Sequence, residues 1–114
     1  MVARDVEHAK FEQDLRKGAL VLAVLSQLRS AQYGYSLRQA LAERGMPIEE
    51  GTLYPLLRRL EAQGVLTSQW QADGGPPRRY YVLSTRGSDL LRDLAASWGS
   101  LVSVMDRLLE GNRE

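Results

Sequence analysis

The chain has 114 residues, a formal net charge of +1, no cysteine, 44% hydrophobic residues and 25% charged residues. This length and composition are typical of one ordinary globular domain with a modest core, and they exclude a fibrous or disordered chain. The lack of cysteine excludes disulfides, thiolate metal sites and cysteine nucleophiles, and is compatible with a reducing cytoplasm, where we expect the protein to act.

The charges are unevenly distributed along the chain. Residues 50–86 carry five arginines against three acidic side chains, whereas residues 87–114 carry three basic and five acidic side chains. An excess this small is modest for a nucleic-acid-binding protein, so its location matters more than its size. The longest apolar run, residues 18–25, is too short to cross a bilayer, so no membrane association is expected.

The first ten residues are predicted to form a frayed N-terminal extension. From residue 11 apolar side chains recur at helical spacing, which predicts a single, largely buried helix over residues 11–28. A break follows at residues 30–34, and then a second, shorter helix. Ser36 and Gln39 have the spacing of a capping box, so this second helix could begin as late as Ser36.

A third helix is predicted over residues 49–63, because four leucines recur on one face. Pro55 lacks an N–H, and only in the first turn of a helix do the N–H groups have no partner within the helix. The regular helix is therefore predicted to begin near Gly51 or Thr52, with Thr52 as the candidate cap. Gly64 is predicted to end the helix in a left-handed conformation.

After the third helix, apolar residues recur at every second position. Residues 65–71 and 78–83 are predicted to be the strands of a hairpin, joined by the turn sequence Asp-Gly-Gly-Pro-Pro at residues 73–77. Ser84 or Thr85 then caps a long last helix that continues to about residue 110.

Three helices followed by a hairpin predict a mainly α fold, a winged helix-turn-helix over residues 11–84, with a dimerisation helix over residues 85–114. In this architecture the third helix enters the major groove of DNA and the hairpin, or wing, approaches the DNA backbone. The exposed positions on these two elements are the predicted DNA contacts: Thr52, Tyr54, Pro55, Arg58, Gly74, Gly75, Arg78 and Arg79.

Each of these features also has a simpler interpretation. Arg58 is compatible with an ordinary solvated helix face, and the Gly-Gly-Pro-Pro sequence is compatible with a plain hairpin connection. Their joint placement on the two elements that face DNA favours the binding interpretation.

The motifs on these elements resemble the PadR family of transcriptional regulators. GTLYPLLRRLEAQGVL (residues 51–66), GGPPRRYYVLSTRG (residues 74–87) and YGYSL (residues 33–37) match the family pattern, and the resemblance covers residues 15–109. It implies a winged-helix dimer that represses transcription. It also implies that Tyr35 and Ser36 lie near the DNA phosphates, beside the contacts named above.

The last helix carries an apolar seam with the alternating three- and four-residue spacing of a coiled coil. One small domain cannot cover so long a stripe, which predicts a homodimer that binds a palindromic operator with half-sites about one DNA turn apart. The predicted interface consists of Leu91, Leu94, Trp98, Leu101, Val102, Met105 and Leu108, with Phe11 of the first helix packing across it.

Trp98 lies within this seam among small neighbours. A large ring with space around it near a two-fold axis predicts a pocket for a planar aromatic or cationic small molecule. The candidate ligand-binding residues are Trp98, Ala95, Leu101 and Met105. The PadR resemblance supports this prediction, since some small members bind hydrophobic drugs between subunits and respond to several drugs. The alternative is that Trp98 and Met105 only fill the dimer core.

Other classes of protein fit the sequence less well. His8 is the single histidine and the carboxylates are scattered, so no catalytic residue, metal site or cofactor is expected. A winged-helix module that binds protein rather than DNA stays open, as does a DNA-binding regulator without a small-molecule ligand.

Overall fold

The computed structural model describes residues 2–111, and side chains are described from residue 5 onward. Five helices and three strands follow one another in the described chain: α1 (Val2–Lys17), α2 (Leu20–Ser26), β1 (Gln32–Tyr33), α3 (Gly34–Glu43), α4 (Glu50–Ala62), β2 (Leu66–Gln71), β3 (Arg78–Leu83) and α5 (Thr85–Gly111).

The predicted fold class, a mainly α winged helix-turn-helix, is confirmed. β2 and β3 form the antiparallel hairpin of the wing, with Leu66 opposite Leu83 and Gln71 opposite Arg78. β1 adds a third strand, so that the sheet order is β1-β3-β2. β1 was not predicted, because two residues are too few to show an alternating pattern.

The predictions for the N-terminal region are wrong in two respects. Residues 2–10 are not a frayed extension, because they belong to α1, which runs unbroken across the predicted boundary at residue 10. The predicted helix over residues 11–28 is two helices, since α1 ends at Lys17 and α2 begins at Leu20. Gly18, a poor helix former, lies at the break, where the Ala19 N–H donates to the Arg16 carbonyl at 2.9 Å.

Two helix starts also differ from the prediction. α3 begins at Gly34, and the Ser36 hydroxyl donates to the Tyr33 carbonyl at 3.0 Å instead of capping the helix. α4 begins at Glu50, with Glu49 in extended conformation before it, so Thr52 is inside the first turn.

Pro55 consequently lies in the second turn of α4, not the first. A proline at this position leaves the carbonyl of Gly51, four residues earlier, without its helical N–H donor. Both residues are exposed, so water can satisfy that carbonyl in the free protein.

Three local predictions are confirmed. Gly64 ends α4 with a φ of 79°, and the following N–H of Val65 donates to the Leu60 carbonyl at 2.9 Å. The turn of the wing lies at residues 73–77, between the paired strands β2 and β3, and Gly74 within it has a φ of 78°. Ser84 caps α5, since its Oγ accepts the Gly87 N–H at 3.0 Å.

A leucine-rich core joins α2, α3, α4, the wing and the start of α5. The side chains that are completely or almost completely buried are Val24, Leu25, Leu28, Leu37, Leu41, Leu53, Leu56, Leu57, Leu60, Val65, Leu66, Tyr81 and Leu91. This core joins α4 to the base of the wing. Of the helices within residues 2–111, none combines the length and the apolar character needed to cross a membrane.

Candidate nucleic-acid interface

One face of α4 is buried and the opposite face is fully open. Leu53, Leu57 and Leu60 pack into the core, whereas Gly51, Pro55 and Arg58 are exposed. Residues three and four apart lie above one another on a helix, so these three exposed residues form one continuous outer stripe. The stripe has no bulky apolar side chain other than the proline ring, and its cation is Arg58.

The start of α4 is held by Arg38 of α3. The Arg38 Nε donates to the carbonyl of Ile48 at 3.2 Å, and its Nη1 donates to Glu50 Oε1 at 2.9 Å. The arginine thereby ties α3 to the loop and first turn of α4. This role of Arg38 was not predictable from the sequence, because partners ten and twelve residues away leave no local pattern.

Tyr54 lies on the flank of α4 that faces the wing, and it is half-buried. Its ring packs against the backbone of Gly34, where an added Cβ would overlap the ring carbons and the hydroxyl oxygen. This contact leaves only part of the tyrosine side chain accessible to a ligand. Thr52 is exposed on the other flank and faces a groove that Arg16 and Lys17 of α1 also line.

A groove of about 330 Å³ separates α4 from the wing. Its lining combines aromatic rings with guanidinium groups and includes no carboxylate: Tyr33, Gly34, Tyr54, Arg58, Trp70, Arg78, Arg79 and Tyr81. Four of the predicted DNA contacts, two from α4 and two from the wing, therefore lie on one surface. This aromatic–arginine groove suits a polyanion that also presents flat or apolar groups.

Arg78 and Arg79 leave β3 on opposite faces of the sheet, so their contacts differ even though both side chains line the groove. The Arg78 guanidinium lies 4.6 Å from the centre of the Tyr33 ring and its residue is exposed. The Arg79 guanidinium donates to Glu61 at 2.8 Å and to Ser68 at 3.0 Å. Arg78 can turn toward a phosphate, whereas Arg79 is already engaged within the protein.

The remaining predicted contacts lie at the edges of this surface. Tyr35 is 58% exposed and stacks on Tyr33, with ring centres 6.3 Å apart. Ser36 is half-buried and its hydroxyl is directed at the Tyr33 carbonyl. Gly74 and Gly75 are exposed at the tip of the wing, where nothing would touch an added Cβ, so their backbone is open to a ligand.

This arrangement of α4 and the wing falls within a known family pattern. The Transcriptional regulator PadR-like family matches residues 21–93, the segment from α2 to the first turns of α5. The chain belongs to this PadR-like family. The family consists of DNA-binding transcriptional regulators and not enzymes, which confirms the resemblance and the non-enzymatic function predicted from the sequence.

Relatives and solved structures agree with this membership. Transcriptional regulator Rv3488 of Mycobacterium tuberculosis is 33% identical over 82 residues, which cover 71% of this chain and 77% of that protein. The crystal structure of a PadR family transcriptional regulator from Eggerthella lenta is 46% identical, with a TM-score of 0.91, and the match covers 96% of this chain and 98% of that chain. A PadR-like regulator from Bacillus cereus is 30% identical, with a TM-score of 0.76 over 84% of this chain and 96% of that one.

Most of α5 lies beyond the segment that matches the PadR-like family, and it extends away from the core. Leu91 is only 5% exposed, so it belongs to the protomer's own core and not to a dimer seam. Leu94 is half-buried against that core. Every side chain from residue 95 to residue 111 is exposed, including several large apolar ones: Trp98, Leu101, Val102, Val104, Met105, Leu108 and Leu109.

The four candidate ligand-binding residues do not come together in one protomer. Trp98 and Leu101 line a groove of about 350 Å³ between α5 and the break between α1 and α2. Ala95 lines a different groove, beside Arg29 and Arg92. Met105 is exposed further along α5 and lines neither groove.

Proposed function

We propose that this PadR-like regulator represses transcription as a homodimer that binds a palindromic operator in the cytoplasm. α4 lies in the major groove, with Thr52, Tyr54, Pro55 and Arg58 toward the bases and the backbone. The wing lies on the sugar-phosphate chain through Gly74, Gly75 and Arg78. One observation carries this proposal. The exposed stripe of α4 and Arg78 of the wing lie on one surface, and that surface is cationic and accessible.

The dimer is supported by the apolar side chains that α1 and α5 leave exposed. Phe11 of α1 is 76% exposed, and Trp98, Leu101 and Leu108 of α5 are about half exposed. Such a stripe on a folded chain is unfavourable in water unless another surface covers it. A second copy of the chain offers the same stripe, so a two-fold interface buries both stripes and sets the spacing of two α4 helices.

Operator binding is expected to weaken on replacing Arg58 or Arg78 with alanine. Arg58→Ala removes the cation of the α4 stripe and should lower affinity roughly ten- to hundredfold if it reads a base. Arg78→Ala removes a phosphate contact, so the loss should be similar on all sequences and the salt dependence shallower. Fluorescence anisotropy with the protein's own upstream DNA and a scrambled duplex, at several salt concentrations, measures both effects.

Arg92→Ala is the matched control, because it removes an exposed arginine that pairs with Asp89 on α5, away from the proposed interface. Equal binding by all three variants would contradict the contact assignment. Binding of the wild-type protein that neither prefers its own promoter nor falls with salt would instead favour a protein-binding module. In transcription assays with that promoter the protein should lower transcript levels, and a rise would identify an activator.

We further propose that the groove beside Trp98 takes a planar aromatic or cationic small molecule. An indole ring that is half exposed offers a stacking face, and the groove floor is apolar, with Val21, Leu22 and Leu94. A second α5 packed on this stripe would close the groove. Leu101 and Met105 then enter the site from the dimer interface, whereas Ala95 lies outside it.

Titration with a planar cationic dye is expected to quench Trp98 fluorescence. The chain has two tryptophans, so the Trp70→Phe variant isolates the Trp98 signal. Saturable quenching in that variant, and its loss together with dye binding in Trp98→Phe, is the expected result. Unchanged Trp98 emission across a broad panel of dyes would favour a regulator without a small-molecule ligand, in which Trp98 only fills the dimer core.

A further inference from the structure

Glu61, in the last turns of α4, links that helix to both strands of the wing. Its Oε1 accepts a hydrogen bond from Arg79 Nη2 of β3 at 2.8 Å, and its Oε2 accepts one from Ser68 Oγ of β2 at 2.6 Å. The triangle is closed by Arg79 Nε, which donates to Ser68 Oγ at 3.0 Å. We call these three residues the wing clamp.

The surroundings of the wing clamp strengthen these bonds. The side chains of Arg79 and Glu61 are only 38% and 28% exposed, so water screens the pair less than a surface ion pair. The Arg79 guanidinium also lies 5.8 Å from the centre of the Trp70 ring and 5.6 Å from that of Tyr81. Burial raises the pKa of the Tyr81 phenol, against a smaller opposing effect of Arg79, so this ring is neutral at physiological pH.

These contacts change the role that the sequence predicts for Arg79. Its guanidinium already has a carboxylate, a hydroxyl and two rings as partners, whereas Arg78 has no salt bridge among the described residues. A cation neutralised by a carboxylate contributes little to the release of counterions from DNA. Arg79 is therefore an internal support of the wing, and Arg78 is the wing arginine that is free to meet phosphate.

We propose that Glu61 is a positioning residue for DNA binding, which acts through Arg79. By holding Arg79 and Ser68 it fixes the wing relative to α4, so that both elements meet one operator in register. By neutralising Arg79 it also limits the number of cations offered to any DNA. Glu61 thus favours the operator over random DNA, and this inference rests on the operator binding proposed above.

Glu61→Gln is the decisive variant, because glutamine keeps the size of the side chain and removes the charge. The ratio of operator affinity to scrambled-DNA affinity should fall about tenfold, the scale of coupling within one hydrogen-bonded network. The released Arg79 should neutralise about one more phosphate, so the plot of log affinity against log salt should steepen by about 0.9. A variant that only destabilises the fold would not steepen that plot.

Asp89→Asn is the matched control. It removes a carboxylate from another arginine pair, Asp89 with Arg92 at 3.0 Å, and gives the same change in net charge. Its specificity ratio and salt slope should equal those of the wild type. In the double variant Glu61→Gln with Arg79→Gln the slope should return to the wild-type value, while the specificity ratio stays low.

The proposal is overturned if Glu61→Gln behaves like Asp89→Asn, or if the double variant keeps the steeper slope. Failure of the wild-type protein to bind its operator would instead overturn the proposed function, so the two failures are distinguishable. If Glu61→Gln does not fold, Arg79→Lys serves in its place. It keeps the charge but loses the planar fork, so the specificity ratio should fall several-fold, and an unchanged ratio would overturn the proposal.

Discussion

Replacing both Leu101 and Leu108 with glutamate is expected to convert the dimer into a monomer and to weaken operator binding by at least about a hundredfold. The two side chains are 51% and 57% exposed in the protomer, so their loss costs the isolated fold little. In a dimer each buried leucine is worth about 1.5–3 kcal/mol, and four are lost at once. Four glutamates would then face one another in an apolar interface.

The matched control is the double variant Ala96→Glu with Ser103→Glu. These residues are also exposed and seven apart on α5, but helical geometry places them opposite the apolar stripe. Sedimentation velocity should show a dimer for the wild type and the control, and a monomer with an unchanged circular dichroism spectrum for the leucine variant. A leucine variant that stays dimeric, or a control that dissociates as readily, would contradict the proposed interface.

The sequence was most informative where local chemistry decides the structure. Gly64 follows an apolar helical pattern and precedes a strand in which apolar residues alternate, so the end of α4 was predictable to within one residue. The two strands of the wing followed from their alternation and from the dense turn between them. The exposed stripe of α4, with Arg58, followed from the spacing of the four leucines on the opposite face.

Features that depend on distant partners were not predictable in this way. Glu61 and Arg79 are eighteen residues apart, and each alone looks like a solvated charge. Leu91 and Leu101 fit the spacing of the α5 seam equally well, although the first is buried in the protomer and the second is exposed. Periodicity indicates that an apolar stripe must be covered, but it does not indicate which surface covers it. Gly18 stood within an apolar run, so the turn between α1 and α2 was hidden by the residues around it.

Gly87→Ala is expected to be the most destabilising single-methyl change in the wing and α5 region, at about 3 kcal/mol. Gly87 is buried in the first turn of α5, and an added Cβ would overlap the carbonyl oxygen of Val65 and lie 3.2 Å from Leu83 Cδ2. That carbonyl accepts the N–H and the hydroxyl of Ser84, each at 3.0 Å, and these bonds join α5 to the start of the wing. Relieving the overlap must therefore strain the backbone or break these bonds, at about 1–3 kcal/mol for overpacking and about 1 kcal/mol per lost bond.

The better helix propensity of alanine offsets only about 1 kcal/mol of this loss of stability. Gly51→Ala is the matched control, because it adds the same methyl group in the first turn of α4, where nothing lies within 4 Å, and should stabilise the fold by about 0.5–1 kcal/mol. Urea unfolding compares the free energies of unfolding of the two variants. Both are measured at the same protein concentration, because the stability of a dimer depends on concentration. If Gly87→Ala were as stable as the wild type, the distance between α5 and the Val65 carbonyl would have to be larger than the structure shows. The wing could then move independently of α5.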